Sequence, residues 1–491
     1  MGPDGRPASP PLRPEFSRLA ASRKRQCPGG VSFPARMLSA LLSLTVLASP
    51  AAAAPHASGA TPPSGIVFLE DDYRGALAKA RAQKKPLFLD SWATWCHSCL
   101  SMRSFVFPDA GLRPAKDAVV WLSVETEAPK NREVVEKFPA DGLPTFLLID
   151  PDTEKVIGRW LGTSSVNEMR QFVLDNTASW QAARKGGKVS EALLAEQEGN
   201  AAQQKKDYAA AVAAYRRAVS LSAKNDPMRA SRVDMLVSAL MRQGTPEAVK
   251  ECVTVAHAEL ARMPATPTGA DVADTAAGCA VKAGDTPEAK TLLTASLKRL
   301  ESLAADPKAS LSVDDRSSIY ASLADHLDEL KRHDEAVAAM RKRASILEAA
   351  AARAPDVTTA ATFDAHRTES YLYLGELGKA EALLSGREKE LPNDYNPPAR
   401  LARVLLEQKR APEAEAAVNR ALALMTEGPR KVGVLGLKAR ILDAQGKDKA
   451  PVLREQLALM KSLPANQVNP ETQQKVEKEL ANLGAAPHAQ R

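Results

Sequence analysis

The sequence predicts an α/β domain followed by an all-α helical solenoid, both behind a disordered N-terminal segment that carries a signal peptide. Three patterns predict this. Over residues 66–178 short apolar runs of strand type alternate with amphipathic helical stretches. From residue 190 the strand signal stops, and Ala-, Leu-, Glu- and Arg-rich helix recurs with a countable period over 190–465. Residues 1–36 are rich in Pro, Arg, Gly and Ser and have no periodicity. At 491 residues the chain needs more than one core.

The leader holds seven basic side chains (Arg6, Arg13, Arg18, Arg23, Lys24, Arg25, Arg36) against Asp4 and Glu15, so most of the net charge of +7 sits there. Beyond it acids and bases are interspersed, and aromatic residues are only 4% of the chain. No basic stripe with interleaved aromatics remains, which argues against nucleic-acid binding. Arg36 precedes the apolar run Met37–Ala48, and small residues follow to Ala54. That is the pattern of a secretory signal peptide cleaved around Ala53 or Ala54, too short for a spanning helix. Residues 1–54 are therefore leader and signal peptide, and the expected location is periplasmic or secreted, with no transmembrane segment after cleavage. Residues 55–65 read as a linker.

In the α/β domain, Ile66 to Leu69 is the first candidate strand. Asp71 and Asp72 open a helix whose apolar face is Tyr73, Leu77 and Ala80. Leu87-Phe88-Leu89 forms a strand running into Asp90, and Leu100, Met102, Arg103 and Phe105 mark the next helix. A strand over Val119–Val124 and a short helix through Val134 and Val135 follow. A strand headed by Pro144, a strand over Val156–Leu161 and a helix from Val166 to Leu174 complete the domain. Lys185-Gly186-Gly187-Lys188 marks a linker over 179–189.

The chemistry concentrates in Trp95-Cys96-His97-Ser98-Cys99, at the strand-to-helix junction. A cysteine in a first helical turn faces free N–H groups and the positive end of the helix dipole, which stabilises its thiolate. Cys96 is then the exposed nucleophile and Cys99, one turn on, the resolving thiol. Zinc would need two more ligands nearby, and Leu100 stands where a haem-attachment motif needs His. The residues by themselves leave redox exchange or a structural disulfide.

The stretch Leu89 to Cys96 resembles the active-site strand of thioredoxin-fold proteins, as does Gly142-Leu143-Pro144-Thr145 at the head of an apolar strand, with Gly162 after the next one. The resemblance covers about residues 66–178. It implies roles for Cys96 and Cys99 as the exchanging pair, for Asp90 as the buried carboxylate that passes a proton to the resolving thiol, and for Pro144 as a cis-proline beside the dithiol. No cofactor and no metal are implied, since the dithiol carries the electrons. Two departures stand out. The central strand, read as Val119-Val120-Trp121-Leu122, carries a large aromatic in place of a lysine, which removes a cation near Asp90. The residues between the cysteines are His97-Ser98; a cationic His97 favours a Cys96 thiolate, and a solvent-facing spectator is the other reading.

In the helical region, Ala211, Ala248, Ala289, Ala336, Ala380 and Ala414 each follow a short turn, at intervals of 34 to 47 residues. Four residues after each lies an apolar side chain: Tyr215, Cys252, Leu293, Met340, Leu384 or Val418. This resembles tetratricopeptide repeats, with a degenerate unit after Gly446 and a capping helix and tail over 466–491. Such arrays stack into a superhelix whose concave face suits a partner protein or peptide. Cys252 and Cys279 sit on apolar faces of successive helices; they either pair or act as small buried hydrophobes, and the packing position of Cys252 favours the second reading. The expected protein is a thiol–disulfide oxidoreductase acting on protein substrates, with the repeats recruiting partners. The competing expectation is a repeat scaffold with a redox-inert head.

Overall fold

Alternating strand and helix signals become, in the computed structural model, a five-stranded mixed sheet with helices on both faces. The structure describes residues 62–140 and 142–485. The leader and signal-peptide assignments lie outside these residues, as does the tail beyond 485.

The strands are β1 (Leu69–Glu70), β2 (Leu87–Trp92), β3 (Val120–Glu125), β4 (Thr145–Ile149) and β5 (Val156–Leu161), in the order β1-β3-β2-β4-β5. β2 is central, parallel to β3 and antiparallel to β4. The expected first strand at Ile66–Leu69 is shorter and later: Ile66 is buried in the core, while only Leu69 and Glu70 pair with β3. β2 is buried along nearly its whole length, because its two faces serve two cores. Phe88, Trp121, Phe146 and Phe172 fill one side, and Leu87, Leu89, Leu122 and Leu147 the other.

Among the described residues this domain has four α-helices: α1 (Tyr73–Gln83), α2 (His97–Ser101), α3 (Arg132–Lys137) and α4 (Val166–Arg184). The Asp72 side chain caps α1 by accepting from Gly75 N. α2 continues into a π-helical turn over Met102–Val106. α4 opens on a reciprocal capping box between Ser165 and Glu168 and outruns the expected end at Leu174 by reaching Arg184. Its extension buries Trp180, whose indole N–H donates to Asp150 at 2.8 Å, so helix occupies the first half of the expected 179–189 linker.

The rest of the described chain is helical hairpins. α5 (Glu191–Gln204) pairs with α6 (Tyr208–Leu221), α7 (Arg229–Gln243) with α8 (Pro246–Glu259), and α9 (Pro267–Ala283) with α10 (Pro287–Ala305). α11 (Val313–Glu329) pairs with α12 (His333–Ala352). After the short α13 (Val357–Ala361), α14 (Asp364–Tyr373) pairs with α15 (Leu377–Glu390). α16 (Asn396–Glu407) and α17 (Ala411–Leu424), then α18 (Pro429–Ala444) and α19 (Ala450–Ser462), complete seven hairpins among the described residues, and α20 (Pro470–Ala485) packs on α19.

Each of the six marker alanines lies in the first turn of the second helix of its hairpin and is buried. The residue four positions on is buried in five of the six cases, Leu293 being half-buried. The small side chain lets the paired helices approach, and its i+4 neighbour fills the space behind. Cys252 and Cys279 are both fully buried and joined as a disulfide between α8 and α9. The reading of Cys252 as a free hydrophobe is therefore corrected: the packing position also faces the next unit's first helix, where Cys279 sits.

Candidate functional site

β2 ends at Trp92, and the chain turns through Ala93-Thr94-Trp95 to place Cys96 as the N-cap of α2. The Cys99 N–H donates to the Cys96 sulfur at 3.2 Å, an orphan donor of the first turn finding a soft acceptor. Cys96 and Cys99 are joined as a disulfide, with Cα atoms 5.3 Å apart. Leu143, Trp92 and Trp95 pack around the pair, and the Leu143–Pro144 peptide is cis. Gly162 N donates to the Pro144 carbonyl at 2.9 Å, tying that turn to the end of β5.

Asp90 lies in β2, almost completely buried. Burial pushes its carboxyl up to about 7, with Arg103 opposing that shift and Glu70 adding to it. Arg103 Nη1 stands 3.4 Å from Asp90 Oδ2 and donates to Ser123 Oγ at 2.5 Å, while Ser123 donates to the same Asp90 oxygen at 3.3 Å. The residue opposite Asp90 on β3 is Ser123, and Trp121 is paired with Phe88. The expectation that an aromatic removes the cation beside Asp90 is thereby corrected. Arg103 supplies that cation from the helical side, held over the Trp92 ring at 4.3 Å and by Glu70 at 3.0 Å.

A second correction concerns access. Cys96 was expected to be the exposed nucleophile, yet it is only 4% exposed. Helices of the repeat array close over residues 94–97. Tyr395 Oη is 2.9 Å from Thr94 Oγ1, and the Asn396 amide reaches the Thr94 carbonyl. The Trp95 indole donates to Glu127 at 3.0 Å, and the same carboxylate oxygen accepts from the Arg430 backbone N–H at 2.8 Å. Burial raises Glu127 above the usual carboxylate range, against these two donors. Farther out, Phe105 stacks on Phe363, Thr163 donates to Asp315 at 2.9 Å, and Gln467 reaches the Thr126 carbonyl.

His97 is not a solvent-facing spectator. Its Nδ1 is 3.3 Å from Asp314 Oδ2, and its Nε2 is 2.7 Å from Nε2 of His366. His366 is buried, and burial, then His97 and Arg343, push it down to about 4 against the pull of Asp314. Burial would raise Asp314, but the two imidazoles outweigh it and hold the carboxyl well below its usual range. Asp314, His366, Tyr395, Glu127 and Arg430 escaped the sequence reading. Nothing in a local pattern links position 97 to positions 314 and 366.

The fold and this site define a thioredoxin-like domain followed by an all-helical array of hairpins. Residues 73–176 match the family model of a thioredoxin-like domain. The same region is similar to "Thiol:disulfide interchange protein DsbD" from Pseudoalteromonas atlantica, 29% identical over 116 residues, or 23% of this chain and 20% of that protein. It is also similar to the protein of that name from Colwellia psychrerythraea, 33% identical over 90 residues, or 18% of this chain and 14% of that one. The chain thus spans about a fifth or less of the length of these relatives. A tetratricopeptide repeat protein from Parabacteroides merdae overlaps 60% of this chain and 99% of its own, at 14% identity and a TM-score of 0.36. At that score the hairpins and their buried alanines, rather than the overlap, define the array. No helix among the described residues is long and apolar enough to cross a membrane.

Proposed function

We propose that the chain is a thiol–disulfide oxidoreductase that exchanges disulfides with protein substrates through Cys96 and Cys99, in the periplasm or another secreted compartment. The observation that carries it is the disulfide at the N-cap of α2, beside a cis-proline turn and on the same β2-to-α2 segment as a buried carboxylate with a pKa near neutrality. In the reduced chain the Cys96 thiolate attacks a substrate disulfide and one substrate sulfur leaves as thiolate. Cys99, its proton taken by Asp90, then attacks the Cys96 sulfur of the mixed disulfide. The substrate departs with both cysteines reduced, and the chain is left with Cys96 bonded to Cys99. Two electrons have passed to the substrate, whose two leaving thiolates take their protons from Asp90 and from solvent, and no cofactor is needed.

Compartment is supported by the run Met37–Ala48 and by the second disulfide, since a buried structural disulfide such as Cys252–Cys279 persists in oxidising surroundings. The array would present substrates or partners to the redox domain, consistent with how stacked helical repeats bind.

Burial of Cys96 favours a second reading, a scaffold whose redox head is sealed. One experiment separates the two. In the full chain with Cys99→Ser, covalent Cys96-linked partners accumulate on non-reducing gels if exchange occurs. No adduct, with partner binding by the array intact, leaves the scaffold reading standing.

A further inference from the structure

Three groups that the exchange chemistry does not require meet where the array closes on the redox domain: His97 between the two cysteines, Asp314 in the first turn of α11, and His366 in the first turns of α14. Their proton positions follow from their neighbours. The Ser317 hydroxyl donates to the Asp314 backbone carbonyl at 2.9 Å, so its oxygen acts as acceptor toward His366 Nδ1 at 2.5 Å. The His366 proton therefore sits on Nδ1, and Nε2 presents a lone pair. His97 Nδ1 faces a carboxylate oxygen of Asp314, so its proton is also on Nδ1 and its Nε2 also presents a lone pair. Those two Nε2 atoms face each other at 2.7 Å. Beside them the buried Asp314 Oδ1, 3.1 Å from His366 Nδ1, has no donor in hydrogen-bond geometry. The two Nε2 lone pairs therefore meet with no proton assigned between them, and the Asp314 carboxylate lies against the Nδ1 atoms of both rings.

We propose that His97, His366 and Asp314 form a binding site for one divalent transition-metal ion of the imidazole-preferring class, with zinc as the ion to test. One donor atom from each residue lies within 4.8 Å of the others. Two nitrogens and one oxygen favour zinc over magnesium or calcium, which take oxygen shells. Zinc–nitrogen bonds of about 2.0–2.1 Å in a tetrahedral shell put the two nitrogens about 3.3 Å apart, so the imidazoles need part by only about half an ångström. Arg343, whose charge is felt at His366, is paired through Nη2 with Glu369 at 3.0 Å. The His97 side chain is 31% exposed and leaves an approach from solvent, from which a water would complete the tetrahedral shell. Because one ligand comes from the redox domain and two from the array, the site exists only while the array is seated, and the ion would hold it there over Cys96 and Cys99.

The test uses the full chain carrying Cys27→Ser with both disulfides oxidised, so that no thiol competes. After treatment with chelator and dialysis it is titrated with Zn²⁺ in a calorimeter, and bound metal is counted by mass spectrometry; Co²⁺ in place of zinc reports geometry through its visible absorption. We expect one ion per chain, a tetrahedral cobalt spectrum, and at least a 100-fold loss of affinity in both His97→Gln and His366→Gln. His97→Gln alters only a partly exposed ligand, so it decides the matter should His366→Gln fail to fold. Wild-type protein that takes up no stoichiometric zinc, as when a shared proton alone bridges the imidazoles, overturns the proposal. So does a site that His97→Gln leaves at full affinity.

Discussion

The two disulfides make an instructive pair. Both are buried, Cys96–Cys99 at the join between the redox domain and the array and Cys252–Cys279 inside the array. The first closes a separation of 3 residues and the second of 27. A short loop constrains the unfolded chain very little, whereas a longer one removes substantial loop entropy. Their surroundings differ in kind. Cys252 has the Val237 carbonyl beside it and Cys279 the Met241 sulfur, in a wholly helical core. Cys96 and Cys99 sit in a small apolar cluster of Ala93, two tryptophans and Leu143, roofed by polar contacts from other helices. Burial alone therefore does not distinguish a staple from a reagent; what has to move to uncover the bond does.

The comparison breaks most visibly if the array disulfide is removed. Replacing both Cys252 and Cys279 with Ala is expected to cost about 3 kcal/mol of stability in urea unfolding, while the same change at Cys96 and Cys99 costs clearly less. Equal losses would mean that the first disulfide is structural too.

A smaller effect is expected from Asp90→Asn. The Asp90 carboxyl is raised to about 7 in the folded chain, so the folded state binds a proton that the unfolded state has lost, and stability falls as pH rises from about 4 to about 7. The variant lacks this loss. It is expected to match the wild type near pH 4 and to exceed it by about 1–3 kcal/mol at pH 8, as read from denaturant midpoints at the two pH values. An unchanged difference between them would show that Asp90 does not titrate in that window.

The smallest effect concerns the roof. Tyr395→Phe removes the hydroxyl beside Thr94, a hydrogen bond worth about 1 kcal/mol. If the array must lift before Cys96 reacts, reduction of Cys96–Cys99 by dithiothreitol should speed up about fivefold, with Cys252–Cys279 still intact. Mass spectrometry after alkylation reads both bonds in one sample. An unchanged rate would locate access elsewhere.

The redox domain was legible because its chemistry is local. A buried strand ending in Asp90, two cysteines one turn apart and Pro144 at a strand head are all set by near neighbours. The repeats were legible for the same reason, since an alanine and its i+4 partner recur in six of the seven hairpins. What escaped depends on tertiary closure. Trp121 and Ser123 exchange meaning with a two-residue shift of register, and Arg103 reaches Asp90 only because the helix after Cys99 lies against β2. The meeting of His97 with Asp314 and His366 spans 217 and 269 residues of chain, so no periodicity foretells it.

The array is also tethered at both extremities. Gln197 in α5 donates to the Ile157 carbonyl at the edge strand, while Ser462, the last residue of α19, accepts from Arg132 and Gln467, just beyond that helix, donates to the Thr126 carbonyl. A coil of helices free at one end can flex without consequence. Held at each end by the domain that carries the two sulfurs, this one can shift neither extremity without breaking hydrogen bonds to that domain.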